Sequence, residues 1–341
     1  MKDSLNIAIG GATGYVGLEL IKILIKHPKI KIKNLCAQKS IGKSISYFDK
    51  EIKKKKLPRI SRIDKINWND IDVLFTALPN GESQKISQKI PNRVKLIDLS
   101  ADFRIKNTNI YKKWYGINHA NKKLNQDSIY AISEFCKKKL KDTRIISCPG
   151  CYPTSILLPL IPIISNRLID YKNIIADSKS GYSGAGKNVN KRFKKQHLYN
   201  SVSAYGIGSH RHMAEIDQEI LKISGKKINI TFTPHLIPMF RGILSTIYVK
   251  PTLKNNAKTI YKLLKKVNKN NYFVKIAKFN SHIGTGNVMN TNFCQISVCE
   301  DRENNGVIIV SVIDNLIKGA AGQAVQNMNL SYGIDESLGL K

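Results

Sequence analysis

The order of strand-like and helix-like segments predicts an α/β domain on a doubly wound parallel sheet, then an α+β domain whose sheet is mainly antiparallel. Two observations carry this. Up to about residue 150, short apolar runs alternate with helical patterns, the rhythm of strand–helix–strand units. Beyond it the strand-like runs lengthen and fill with β-branched residues, and two helical patterns lie among them.

Residues 5–9 form the first apolar run and end in Gly10-Gly11. Residues 15–27 turn helical, with Val16, Leu20, Ile23 and Leu24 on one face, and Pro28 closes the helix. Residues 30–35 alternate as a strand does. Residues 73–78, between Asp72 and Pro79, read as a strand buried on both faces, and residues 94–99, 129–132 and 144–147 as further strands. In the second half, strands are expected at 228–233, 243–250, 293–299 and 307–312, with helices at 213–223 and Ala257–Val267. Residues 315–330 are helical in pattern and rich in small side chains.

With 341 residues and 42% hydrophobic content, the chain can build two cores. The most apolar stretch, 156–164, is too short to span a bilayer and contains Pro159 and Pro162, so it reads as a buried element. The first strand begins almost at once, leaving no room for a signal peptide, and a soluble cytoplasmic protein is expected. The six cysteines are then expected as thiols. A net charge of +32 raises nucleic-acid binding, but the basic runs are scattered and not interleaved with aromatics. The expectation is a solvated lysine-rich surface that favours small anions, with no specific nucleic-acid partner and no membrane.

Four motifs carry chemistry. Gly11-Ala12-Thr13-Gly14-Tyr15-Val16-Gly17 follows a strand and opens a helix. A dinucleotide pyrophosphate needs that tight turn, close backbone approach and positive helix end. No acidic residue follows the second strand to take a ribose 2′-hydroxyl; Lys39 and Ser40 stand there and suit a 2′-phosphate, which favours NADP over NAD. Cys148-Pro149-Gly150-Cys151-Tyr152-Pro153-Thr154 precedes a helix-like run, placing Cys151 where helix amides stabilise a thiolate. A Cys-x-x-Cys redox pair, half a zinc site and two structural cysteines are the rival readings. Gly208-Ser209-His210-Arg211-His212-Met213-Ala214-Glu215 puts two histidines and an arginine at a helix start, for acid/base work and anion binding or for simple capping. Ser180-Gly181-Tyr182-Ser183-Gly184-Ala185-Gly186-Lys187 is a small-residue loop that could approach an anion or merely connect.

At these residues the sequence resembles the N-acetyl-gamma-glutamyl-phosphate reductase family. The segments 149–154, 180–187 and 210–215 carry the likeness, with Ala77-Leu78-Pro79-Asn80-Gly81, Asp98-Leu99-Ser100-Ala101-Asp102-Phe103-Arg104, Phe232-Thr233-Pro234-His235-Leu236, Arg241-Gly242-Ile243-Leu244 and residues 314–327. Two positions depart: Ala131 replaces a usual glycine in Tyr130-Ala131-Ile132-Ser133-Glu134, and Asn80 stands where histidine is frequent. The resemblance implies a Rossmann domain over 1–150 and 314–341, whose C-terminal helix returns to it. It also implies a catalytic and oligomerisation domain over 151–313, in a homo-oligomer (dimer or tetramer) serving arginine biosynthesis. Cys151 would attack an acyl phosphate and hydride would reduce the thioester to an aldehyde. His210 is the first choice for moving protons and His212 the second. Arg104, Lys187, Arg211 and Glu215 are expected around substrate or anion, and Ser183 and Gly184 beside the cofactor. The rival functions are aspartate-semialdehyde dehydrogenase and a non-catalytic basic NADP- or nucleic-acid-binding module.

Overall fold

The structure, a computed structural model, describes residues 4–52, 56–187, 199–303 and 305–340. The chain forms two compact units, Met1–Pro149 with Ala320–Lys341, and Gly150–Gly319.

In the first unit the strands are β1 (Leu5–Gly10), β2 (Ile30–Cys36), β3 (Ile60–Ser61), β4 (Val73–Thr76), β5 (Lys95–Asp98), β6 (Ile129–Tyr130) and β7 (Ile145–Ser147). They form one sheet in the order β3-β2-β1-β4-β5-β7-β6, with every pairing parallel. Side-chain alternation feeds two cores. Ile7, Ile9, Val73, Phe75, Ile97 and Ile146 enter one, while Ala8, Leu74, Leu96 and Ile145 enter the other. A strand buried on both faces reads as an unbroken apolar run, which is why these strands were legible. Helix α1 (Tyr15–Leu24) contributes Leu18, Leu20, Ile21 and Leu24 to the first core. Four short helices follow: α2 (Glu82–Ser87), α3 (Thr108–Tyr115), α4 (Lys122–Asp127) and α5 (Ser133–Cys136). Strand order reverses between β1 and β4, and in such sheets ligands bind outside the C-terminal ends of the strands at that point.

The second unit opens with α6 (Cys151–Ser165), then β8 (Ile174–Gly181), β9 (Ser203–Ala204), α7 (Met213–Ser224), β10 (Ile230–Ile237), β11 (Ile243–Val249), α8 (Ala257–Val267), β12 (Val274–Ile276), β13 (Cys294–Glu300) and β14 (Val307–Ile313). Its sheet runs β12-β13-β14-β11-β8-β10-β9. The β8–β10 and β12–β13 pairs are parallel and the other four antiparallel. Helix α6 is buried from Tyr152 to Leu160 and packs on β11 and β14. Small hydroxyls let it approach: Ser245 lies 2.7 Å from both Ser155 of α6 and Ser178 of β8.

The chain then winds through a π-helical turn, Ile317–Ala321, into α9 (Gly322–Ser331). Ala324, Val325 and Met328 of α9 join the first unit's core beside α1. The amide of Asn327 donates to the Ala131 carbonyl (3.1 Å), and the Ser133 hydroxyl donates to Asn327 Oδ1 (2.7 Å). Ala131 is fully buried and is not among the residues with positive φ, so an alanine fits where the resemblance suggested a glycine.

Candidate active site

In the first unit, β1 ends in a turn that only glycine can make. Gly11 has φ +83°, and a Cβ there would lie 2.1 Å from the Ala77 carbonyl oxygen at the end of β4. The amides of Gly11 and Ala12 donate to the Cys36 carbonyl at the end of β2 (2.9 and 3.0 Å). A Cβ on Gly17 would lie 2.3 Å from the Gly11 oxygen, so Gly17 lets α1 sit directly on the turn. Gly14 is the N-cap of α1, with no side-chain cap and no acidic residue in the first turn. A Cβ on Gly14 would meet only the Gly11 oxygen, at 3.5 Å, so the helix end is open to a ligand. Thr13, Tyr15 and Val16 around it are half-buried and Ala12 is fully buried. An uncapped, open helix N-terminus fits a dinucleotide pyrophosphate. After β2, Lys39 is exposed and Ser40 takes the left-handed conformation at φ +67°.

Cys148 and Cys151 have different surroundings. Cys148 is 1% exposed, accepts a bond from Asn327 Nδ2 (3.7 Å), and burial pushes its thiol up to about 12. Such a thiol stays protonated and inert. Arg104 Nε and Nη2 donate to the carbonyls of Cys148 (2.8 Å) and Leu99 (2.9 Å), so this guanidinium, expected to hold an anion, clamps the backbone here. All six cysteines are thiols.

Cys151 is the first residue of α6, behind the N-cap Gly150, and is partly exposed. No side chain caps this end and its first turn has no acid. The helix end is roofed within its own unit. A Cβ on Gly150 would lie 2.5 Å from His212 Nε2 and within 2.8 Å of two ring carbons. The Gly150 amide donates to Glu215 Oε2 (2.8 Å), and Glu215 Oε1 is 3.9 Å from His212 Nε2. Glu215 is fully buried in the first turn of α7, so one carboxylate lies between the helix cap before Cys151 and an imidazole.

His210 packs among aromatic rings and against the His212 backbone. Its Nδ1 accepts the His212 backbone amide (3.2 Å), so its proton is on Nε2 when the ring is neutral. Its ring meets Tyr152, Tyr205, Phe232 and His212 edge-to-face, at centroid distances of 5.5, 5.5, 5.5 and 4.8 Å. The Tyr205 hydroxyl reaches that of Tyr152 (3.2 Å), which donates to the His235 carbonyl (3.2 Å). Sequence reasoning singled out both histidines, but spacing alone does not say which ring faces the nucleophile.

The loop after β8 is pinned. The amides of Gly181, Tyr182 and Ser183 donate to the carbonyls of Gly242, Met239 and Phe240 (2.9, 2.9 and 3.0 Å). Asn315 Nδ2 donates to Ser183 Oγ (3.0 Å) while its Oδ1 accepts the Gly242 amide (2.7 Å). Gly184, Lys187 and Arg211 are exposed. Tyr205, Phe232 and Asn315 join the site by packing; their only sequence signal is that the latter two fall inside family-like segments.

Among the described residues no group of three or more His, Cys, Asp or Glu is placed to hold a metal ion, and no helix is long and apolar enough to cross a membrane. A family model described as the semialdehyde dehydrogenase NAD binding domain matches residues 6–143, and one for the semialdehyde dehydrogenase dimerisation domain matches residues 151–315. An N-acetyl-gamma-glutamyl-phosphate reductase of Ehrlichia canis is 42% identical, covering 100% of this chain and 98% of that one. A probable chloroplastic N-acetyl-gamma-glutamyl-phosphate reductase of Oryza sativa is 39% identical over 99% of this chain and 82% of its own. The fold is shared with aspartate semialdehyde dehydrogenase II of Vibrio cholerae, with a TM-score of 0.72 at 18% identity over 97% and 99% of the two chains. It is also shared with the Candida albicans aspartate semialdehyde dehydrogenase solved with NADP, with a TM-score of 0.69 at 15% identity over 96% and 98%. The chain belongs to the N-acetyl-gamma-glutamyl-phosphate reductase family.

Proposed function

We propose that this chain reduces N-acetyl-L-glutamyl 5-phosphate to N-acetyl-L-glutamate 5-semialdehyde and phosphate, with NADPH, in the arginine pathway. One observation carries the mechanism: Cys151 opens α6 beneath the His212 imidazole, which Glu215 joins to the helix cap. The amides at that helix end stabilise the thiolate of Cys151. The thiolate attacks the acyl carbon, and phosphate leaves with the electron pair of the broken C–O bond. NADPH, when bound, supplies the hydride that reduces the thioester. His212 serves as the acid and base. It protonates the thiohemiacetal oxygen and takes that proton back as the C–S bond breaks and the thiolate of Cys151 is restored. His210 holds the His212 backbone through its Nδ1. This reading takes His212 ahead of His210, the first choice from sequence, and the contact of its ring with Gly150 supports it.

The Gly11–Gly17 turn would hold the pyrophosphate, with Lys39 and Ser40 toward a 2′-phosphate. Lys187 and Arg211, exposed cations of the second unit, suit the phosphate and carboxylate of the substrate, and Arg104 steadies the segment before Cys151. The protein works in the cytoplasm as a homo-oligomer, a dimer or tetramer, a reading supported by the match to a dimerisation domain. Aspartate-semialdehyde dehydrogenase is the rival enzyme. The test is the reverse assay: NADP reduction with phosphate and either N-acetylglutamate 5-semialdehyde or aspartate semialdehyde. Turnover of the first alone supports the proposal, and preference for the second overturns it.

A further inference from the structure

Gly319 lies against the nucleophile from the side opposite in sequence. A Cβ added there would be 2.7 Å from Cβ and 3.3 Å from Cα of Cys151. No side chain fits between the two backbones, so the turn carrying Gly319 is a wall of the Cys151 site. That turn is the π-helical segment Ile317–Ala321, and its wide bond runs from the Gly319 amide to the Asp314 carbonyl (3.0 Å). Single π-turns recur at functional sites because they re-aim a helix without ending it.

The turn is set by one buried carboxylate. Asp314, 0% exposed, accepts the amides of Leu316 and Ile317 with Oδ1 (2.9 and 3.2 Å). Its Oδ2 accepts the Asn290 amide (2.9 Å) and Arg241 Nη1 (3.2 Å), and the same Nη1 donates to Asn290 Oδ1 (2.8 Å). A buried charge is retained only where charge-assisted bonds offset its desolvation, and these four donors supply them. Directly before Gly319, Lys318 is fully buried, with its ammonium 5.8 Å from the Phe273 ring centre. The turn is therefore held over the residues that lead into Gly319.

We propose that Asp314 is a positioning residue for the Cys151 nucleophile, acting through the π-turn that presses Gly319 against it. Asp314 touches neither substrate nor thiolate; it sets where the wall stands. The proposal rests on Cys151 being the nucleophile. That reading fails on its own terms if Cys151→Ser keeps turnover, whatever Asp314 does.

The experiment is a double-mutant cycle on the full chain with Asp314→Ala, Asp314→Asn, Gly319→Ala and the Asp314→Ala/Gly319→Ala pair. Misplacing a nucleophile by about 1 Å costs ~10²-fold. Asp314→Ala and Gly319→Ala should each lower kcat by about that factor, with KM for NADPH within ~3-fold. Asp314→Asn keeps an Oδ1 acceptor for the Leu316 and Ile317 amides but turns a donor toward the Asn290 amide and Arg241 Nη1, and should recover part of the loss. The pair should be no slower than the slower single variant, because both changes move the same wall. Losses that multiply, or a Gly319→Ala enzyme with wild-type kcat, would overturn the proposal. Thermal melting separates placement from folding. If Asp314→Ala does not fold, the Gly319→Ala and Asp314→Asn results decide alone.

Discussion

Helices α1 and α6 begin alike. Each starts on a glycine with extended backbone, each lacks a side-chain cap, and neither has an acid in its first turn. What lies above them differs. Over Gly14 a Cβ would meet a single backbone oxygen at 3.5 Å, while over Gly150 it would strike the His212 ring at 2.5 Å. The same partial positive charge therefore does two jobs in the proposed function. Left open, it receives an anion that arrives and departs with the cofactor. Closed under an imidazole and a buried carboxylate, it holds a thiolate that must form and break a bond. The sign of charge at a helix end does not distinguish a binding site from a reactive one; the group facing it does.

The comparison can be broken in order of severity. Cys151→Ser should cost turnover ~10³-fold or more and leave NADPH binding, measured by fluorescence titration, at its wild-type affinity. Retained turnover would remove α6 from the chemistry. His212→Asn should lower kcat by ~10²–10⁴-fold, and His210→Asn by about tenfold. The opposite ranking in steady-state kinetics would return the acid/base role to His210. Gly150→Ala should lower kcat by ~10²-fold by pushing the imidazole aside. Gly14→Ala has room within the protein and should raise KM for NADPH while kcat changes little. Equal kcat losses would erase the distinction between the two helix ends. Lys39→Glu should shift the NADP-over-NAD ratio of kcat/KM by about tenfold, the scale of one charge-assisted bond; an unchanged ratio would separate Lys39 from the 2′-phosphate. Smallest of all, Cys148→Ser in reducing buffer should stay within ~3-fold of wild type, since its thiol is protonated at working pH.

How much could be read from the chain alone depends on what faces each strand. β1, β4 and β5 were legible because both faces are apolar. β8, the second sheet's strand between β11 and β10, is not legible in this way, and its end reads as a loop. Its inward positions are Ile174, Ala176, Ser178 and Ser180, and its outward ones Ile175, Asp177 and Lys179. Ser178 faces in where Ser245 bridges it to Ser155 of α6, and the Ser180 hydroxyl donates to the Gly181 carbonyl; two inward serines hide the alternation on which strand reading depends. The sequence pattern ends β10 at Thr233, because Pro234 reads as a stop, yet Pro234 lies within the strand, opposite Ser178. Cys151 as the first helical residue was legible, because a glycine before it and an apolar run after it mark a helix start. The roof over it was not, since no spacing rule states that His212 and Glu215 of one segment lean on Gly150 of another.

The burial of α6 bears on how variants of this protein are to be sorted. From Tyr152 to Leu160 every side chain is in the interior, and Pro159 and Pro162 lie inside the helix. The segment that opens with Cys151 is thus also among the most densely enclosed in its unit. In a genetic selection that scores growth alone, substitutions along this helix will be lost for want of soluble enzyme and will look like failures of chemistry. Only selections that count protein abundance beside growth will separate Cys151, the nucleophile of the proposed function, from neighbours that hold it in place.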